Sequence, residues 1–161
     1  MYQLRIIAIA IASTLLPLTA GAGQGPGLSK KDVKAVLMSI DAALLKKDAN
    51  AVIANFASNA VITATVFEDG RTTQTEYDLS SSYGIVLAAG FQSFSDYKLT
   101  RKDVVIKIST DGRTARTTSK LTETFVFGGD SERAVTDESA TLQAFDGKVL
   151  VTKMHDEVVV E

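Results

Sequence analysis

His155 is the only histidine in the 161-residue chain, and an imidazole can carry a proton near neutral pH if a carboxylate steadies it. An acid that accepts from one ring nitrogen leaves the other free to exchange a proton with a ligand. The spacing brings two acids toward that ring, Glu138 and Glu123. Asp146-Gly147 lies between alternating segments and reads as a two-residue hairpin turn with positive φ at both positions. Counting outward pairs Phe145 with Lys148, Ala144 with Val149, Leu142 with Val151, Ala140 with Lys153 and Glu138 with His155. A second turn, centred on Gly129-Asp130, pairs Phe127 with Glu132, Phe125 with Ala134, Glu123 with Thr136 and Leu121 with Glu138.

Successive strand side chains alternate between faces. One face therefore carries the apolar set Leu121, Phe125, Leu142 and Val151, interrupted near one end by Glu123, Glu138 and His155. Catalysis by His155 with Glu138 and Glu123 is one reading. Ligand binding by Leu121, Phe125, Leu142 and Val151, with a hydroxyl from Tyr83 or Tyr77, is another. The plainest is a solvated cross-strand ion pair contributing ~0.2–1 kcal/mol, and Lys153 and Glu157 on the same face favour it. No cofactor is expected. No metal is expected either, since one histidine offers too few nitrogen donors and neither HxH nor HExxH spacing occurs. There is no cysteine, no GxSxG and no phosphate-binding glycine loop after a strand.

The elements that must position these residues follow from pattern. Residues 1–22 combine Arg5, an apolar run from Ile6 to Leu18 and Ala20-Gly21-Ala22, which reads as a cleavable secretory signal peptide. Residues 23–28 form a flexible lead-in, and residues 29–161 form one domain, long enough for a single core. The protein is expected in the periplasm or outside the cell, with no membrane attachment once the leader is removed. Zero cysteines exclude disulfides and a lipid-anchored lipoprotein. The formal charge of −2, with basic residues scattered, argues against a nucleic-acid partner.

Ser29 and Asp32 form a capping-box signal before Val33, Val36, Leu37, Ile40 and Leu44 at helical spacing. They predict a helix over residues 30–47, and Asp48 caps a second helix reaching Phe56. Residues 60–67 predict a strand. Thr73 with Glu76 predicts a third helix running to Gly90. Four long strands follow: 94–108, 114–127, 132–145 and 148–160. In the first of them the apolar parity changes between Tyr97/Leu99 and Val104/Ile106/Ile108, which predicts a bulge between Leu99 and Asp103. Helices followed by a run of antiparallel strands predict an α+β fold.

The segments 44–62 (LLKKDANAVIANFASNAVI), 109–125 (STDGRTARTTSKLTETF) and 145–158 (FDGKVLVTKMHDEV) resemble the nuclear transport factor 2-like superfamily, in particular its SnoaL-like and ketosteroid-isomerase-like bacterial branches. The resemblance implies a cone-shaped half-barrel, with three N-terminal helices packed on a curved antiparallel meander sheet. It also implies a pocket inside the cone and a homodimer through the outer sheet face. The catalytic sets of the family's known enzymes do not transfer: helix one has no tyrosine, and no aspartate–arginine–aspartate set is recognisable. Three functions follow as expectations. The first is binding of a small apolar molecule in the cone. The second is an isomerase, dehydratase or hydrolase using His155 with Glu138. The third is a structural or partner-binding module whose cone its own side chains fill.

Overall fold

The computed structural model describes residues 27–161. The expected leader and most of the lead-in lie outside the described residues. Helix α1 (Lys30–Leu45) starts from the expected capping box: the Ser29 hydroxyl accepts from the Asp32 N–H, and the Asp32 carboxylate accepts from the Ser29 N–H at 3.1 Å. Its buried face is Val33, Leu37, Ile40 and Ala43. Asp48 caps α2 (Ala49–Ile53) by accepting from the Ala51 N–H at 2.9 Å. This helix is shorter than expected, and Phe56 opens strand β1 (Phe56–Glu68) instead of closing the helix.

The third helix is where the expectation fails most. Residues 73–78, read as its start, belong instead to strand β2 (Arg71–Asp78), which is hairpinned onto β1 with Glu68 opposite Arg71. Asp69 and Gly70 both hold positive φ, 51° and 73°, so the chain reverses tightly there. That reversal and the alternation of Thr73, Thr75 and Tyr77 outweigh the Thr73–Glu76 capping signal. A single π-helical turn (Leu79–Tyr83) leads into α3 (Gly84–Ser93).

Four long strands complete the domain: β3 (Phe94–Ile108), β4 (Thr114–Phe127), β5 (Asp130–Phe145) and β6 (Lys148–Val160). The sheet has six strands in the order β2-β1-β6-β5-β4-β3, and β1 runs parallel to β6. The expected meander is therefore present and is extended by the β1–β2 hairpin. The result is an α+β fold of helices on an open, curved sheet.

Three register details decide which side chains face the helices. The β4–β5 turn centres on Gly128-Gly129, pairing Phe127 with Asp130 and Glu123 with Ala134. This slides the expected register by two residues and preserves every face. In β3 the register shifts between Lys102 and Val105, with Asp103 at φ 55°. The parity change noted in the sequence is this bulge, and it turns Tyr97, Leu99, Arg101, Ile106 and Ile108 all inward.

The third detail is a correction. Asp146-Gly147 does form the tight turn, and Phe145–Lys148, Ala144–Val149 and Leu142–Val151 pair as expected. Beyond Leu142 the register shifts, so that Thr141 pairs with Lys153, Ala140 with Met154, Ser139 with His155 and Glu138 with Asp156. Thr152 is the extra residue, and its hydroxyl donates to the Thr141 carbonyl at 3.2 Å. From there to the end of β6 every side chain changes face.

The interior is packed most tightly at one end. Ile62 on β1, Ala115 on β4, Leu142 on β5 and Val151 on β6 are sealed beneath α1. Further along, the inward residues Ala64 and Val66 on β1, Glu123 and Phe125 on β4, and Asp156 and Val158 on β6 are only half-buried. The interior is sealed beneath α1 and covered unevenly further along, where Leu121, Thr136 and Ala134 are buried among these half-buried positions.

Candidate functional site

The bulge at Thr152 removes His155 from the interior. Its ring points to the outer sheet face, where 37% of the side chain is exposed and Nε2 lies 3.5 Å from Glu157 Oε1. Around it is a shallow polar groove with Asp103, Thr118, Lys120 and Asp137, in which Lys120 pairs with Asp137 at 2.6 Å. Glu138 faces the other way, so the expected His155–Glu138 acid/base pair does not form. Glu123 and Glu138 do face the interior together, as expected.

Asp156 takes the inward place expected of the histidine. It lies between Ala64 of β1 and Glu138 of β5. Its Oδ1 is shut away from solvent and has no hydrogen-bond partner. Burial first, then the negative charges of Glu138 and Glu123, push its carboxyl up to about 8. Burial likewise raises Glu123; a hydrogen bond from the Tyr97 hydroxyl opposes this, and the Glu138 charge adds to it. Burial, with the neighbouring Asp156, Glu138 and Glu123 charges, raises the Tyr83 phenol, which stays a neutral donor.

Beside these acids is a closed ion-pair node. Arg101 enters from β3 with only 6% of its side chain exposed. Its Nε donates to Asp41 of α1 at 3.0 Å and its Nη2 to the same carboxylate at 2.8 Å. Nη1 donates to Ser119 Oγ at 2.5 Å and to Glu138 Oε1, while Nη2 also reaches Glu138 Oε2 at 3.3 Å. Ser119 in turn donates to Glu138 at 3.2 Å. All five guanidinium N–H groups are thus used. Burial alone would lower the Arg101 pKa, but the bonds to Asp41 and Glu138 hold it above its ordinary range.

The remaining expected ligand contacts are spread along the interior. Leu142 and Val151 are fully sealed at the packed end, while Leu121, 5% exposed, is buried between the Glu138 and Glu123 rungs. Phe125 lies further along, stacked on Phe94 with centroids 4.3 Å apart, while Tyr83 tilts against both Phe56 and Tyr77 at 5.9 Å and packs on the edge of the core. Phe91 of α3 meets Tyr97 edge-on at 6.4 Å. Among the described residues no group of three His, Cys, Asp or Glu side chains is arranged to hold a metal ion.

Asp156, Arg101, Asp41 and Tyr97 were not singled out from sequence, although each carried a signal. Arg101 continues the inward parity of Tyr97 and Leu99. Asp41 lies four residues after Leu37 and three before Leu44, on the apolar stripe of α1. In β6 the apolar residues change parity from Val149 and Val151 to Met154, Val158 and Val160, as they do in β3.

No family model matches the chain, and no curated protein matches its sequence. Solved structures do match its fold. A scytalone dehydratase-like protein of Novosphingobium aromaticivorans has a TM-score of 0.63 at 10% identity, over 80% of this chain and 82% of that one. A ketosteroid isomerase-like protein of Erwinia carotovora atroseptica gives 0.59 at 19% identity, over 80% and 94%. A type 3 LinA hexachlorocyclohexane dehydrochlorinase of Novosphingobium barchaimii gives 0.63 at 10%, over 80% and 85%. At these identities the fold is what is shared.

Proposed function

We propose that this chain, whose fold is that of the nuclear transport factor 2-like superfamily, binds a small, largely apolar molecule in the looser end of its cone. The observation that supports this is the division of the interior. One end is packed solid, while further along half-buried Phe125, Ala64 and Val66 share the interior with an unpartnered Asp156 oxygen. A concave apolar wall with a few convergent polar groups is the usual form of a small-molecule site. The reading is tested with the neutral apolar dye N-phenyl-1-naphthylamine. Wild-type protein brightens the dye, and Ala64→Trp, which plugs the looser end beside Asp156, abolishes the signal. A dye that stays dark, or a plug without effect, sinks this reading.

One observation favours a second reading, proton transfer as in an isomerase or dehydratase. A carboxyl titrating at about 8 is poised to donate or accept a proton near neutral pH, and the Tyr83 phenol offers a second donor. Asp156, rather than His155, carries the proton in this version, with Glu123–Tyr97 beside it. Its mark would be a substrate analogue whose C–H exchanges with deuterated water in wild-type protein and stops exchanging in Asp156→Asn.

Export and self-association complete the proposal. Residues 1–22 support cleavage and release into the periplasm or the medium, which N-terminal sequencing of protein from its own host would test. A second copy is the assigned partner for the outer face, where Phe67 lies opposite Val159 and both are exposed. Sedimentation of wild-type protein against Phe67→Glu checks it: a monomer in both removes the dimer.

A further inference from the structure

We propose that the molecule taken up by the looser end is an organic cation: a protonated amine on an apolar body, its ammonium held by Asp156 and Glu123 among the aromatic side chains Tyr83, Tyr97 and Phe125. The inference rests on the cone-binding reading above and adds the charge of the occupant.

Three observations carry it. First, among the described residues that face the interior from the sheet and α1, acids outnumber bases. Glu123, Glu138 and Asp156 face inward from three adjacent strands, with Asp41 from α1, and Arg101 is the basic side chain placed among them. Second, Arg101 is fully committed: Asp41, Glu138 and Ser119 take all five of its donors. A carboxylate or phosphate beside Asp156 would meet Glu123 and Glu138, and Arg101 has no donor left to offer it. Third, Asp156 Oδ1 is buried without a partner. A buried acceptor is costly to leave unmade, and an ammonium N–H supplies the missing donor. The rings add to this, because aromatic faces attract cations through their quadrupole.

The protonation of these acids agrees. Asp156 and Glu123 both hold their protons more tightly than ordinary carboxyls. An arriving ammonium reverses that balance, so binding near pH 7 should release a proton. The groups facing Asp156 are Glu138 from β5, Glu123 from β4, Arg101 with Asp41 from β3 and α1, and the Tyr83 phenol from the π turn. The β1 neighbour, Ala64, is uncharged.

The test uses the full mature chain and three probes of nearly one shape: 2-phenylethylamine, 2-phenylethanol and phenylacetate, each titrated by calorimetry. The amine is expected to bind at least tenfold tighter than the alcohol, and phenylacetate not at all. Amine affinity should rise between pH 6 and 8, approaching tenfold per pH unit at the acid end. Repeating the amine titration in buffers of different ionisation enthalpy should show about one proton released at pH 6.5. Asp156→Asn should lose both the preference for the amine and the proton release. Glu123→Gln is the second variant should the first fail to fold. If the alcohol binds as well as the amine, or amine binding moves no proton, the charge assignment is overturned and the cone reading stands. If none of the three probes binds, the charge assignment falls, and the dye experiment separately decides the cone reading.

Discussion

Asp156→Asn is the sharpest test of the interior electrostatics, because it removes an ionisable proton while keeping the shape. The ordinary carboxyl value is 3.8, and the folded protein raises it to about 8. Between those pH values the native state holds a proton that the unfolded chain has released. Unfolding stability therefore falls as pH rises through this window and levels off above about 8. At about 1.4 kcal/mol per pH unit, the carboxyl costs the native state at most about 4 kcal/mol at pH 7. Asp156 is only half-buried as a residue, so about 2–4 kcal/mol is the expected range. The asparagine variant should match wild type near pH 4 and exceed it increasingly up to pH 8. Urea unfolding of both proteins at pH 4.5, 6, 7 and 8 measures the difference, in which the shared titration of the other acids cancels. Parallel stability curves would refute the reasoning, as would a variant less stable than wild type at pH 7.

Arg101→Met should destabilise the protein by about 3–5 kcal/mol, because it strands the Glu138 carboxylate, 5% exposed, in the core. Adding Glu138→Gln should restore part of the loss, and a urea double-mutant cycle reads the coupling. His155→Ala should change stability by less than about 0.5 kcal/mol, since the ring is outward and part-exposed, and should leave dye binding unchanged. Gly84→Ala places a Cβ 2.5 Å from Ile53 Cδ1, the free end of a half-buried side chain that can turn aside, so it should cost less than about 1 kcal/mol. Ile53→Val removes the clashing atom, and thermal melting should then show no cost for the added methyl group.

How much of this was legible depended on whether one rule was applied everywhere. The Asp146-Gly147 turn, the Ser29–Asp32 box and the parity change in β3 all give local signals strong enough to survive folding. The same parity change occurs in β6 between Val151 and Met154, and had it been read there, Asp156 would have stood in place of His155. Thr73–Glu76 misled for a different reason: a capping signal contributes about 1 kcal/mol, less than a hairpin whose turn sits directly before it. Arg101 and Asp41 are polar residues on apolar stripes. Their partnership spans α1 and β3, a contact between elements distant along the chain that no local pattern reports.

The parallel pairing of β1 with β6 bears on how the molecule comes to be made. The first hairpin emerges early from the ribosome with one edge unpaired, and the strand that covers that edge is synthesised long afterwards. Ile62 must wait for Met154. Such distant pairing slows folding and leaves an adhesive edge in the nascent chain. The amino-terminal half is thus expected to need chaperone cover until β6 arrives, and the sheet to close in one late, cooperative step.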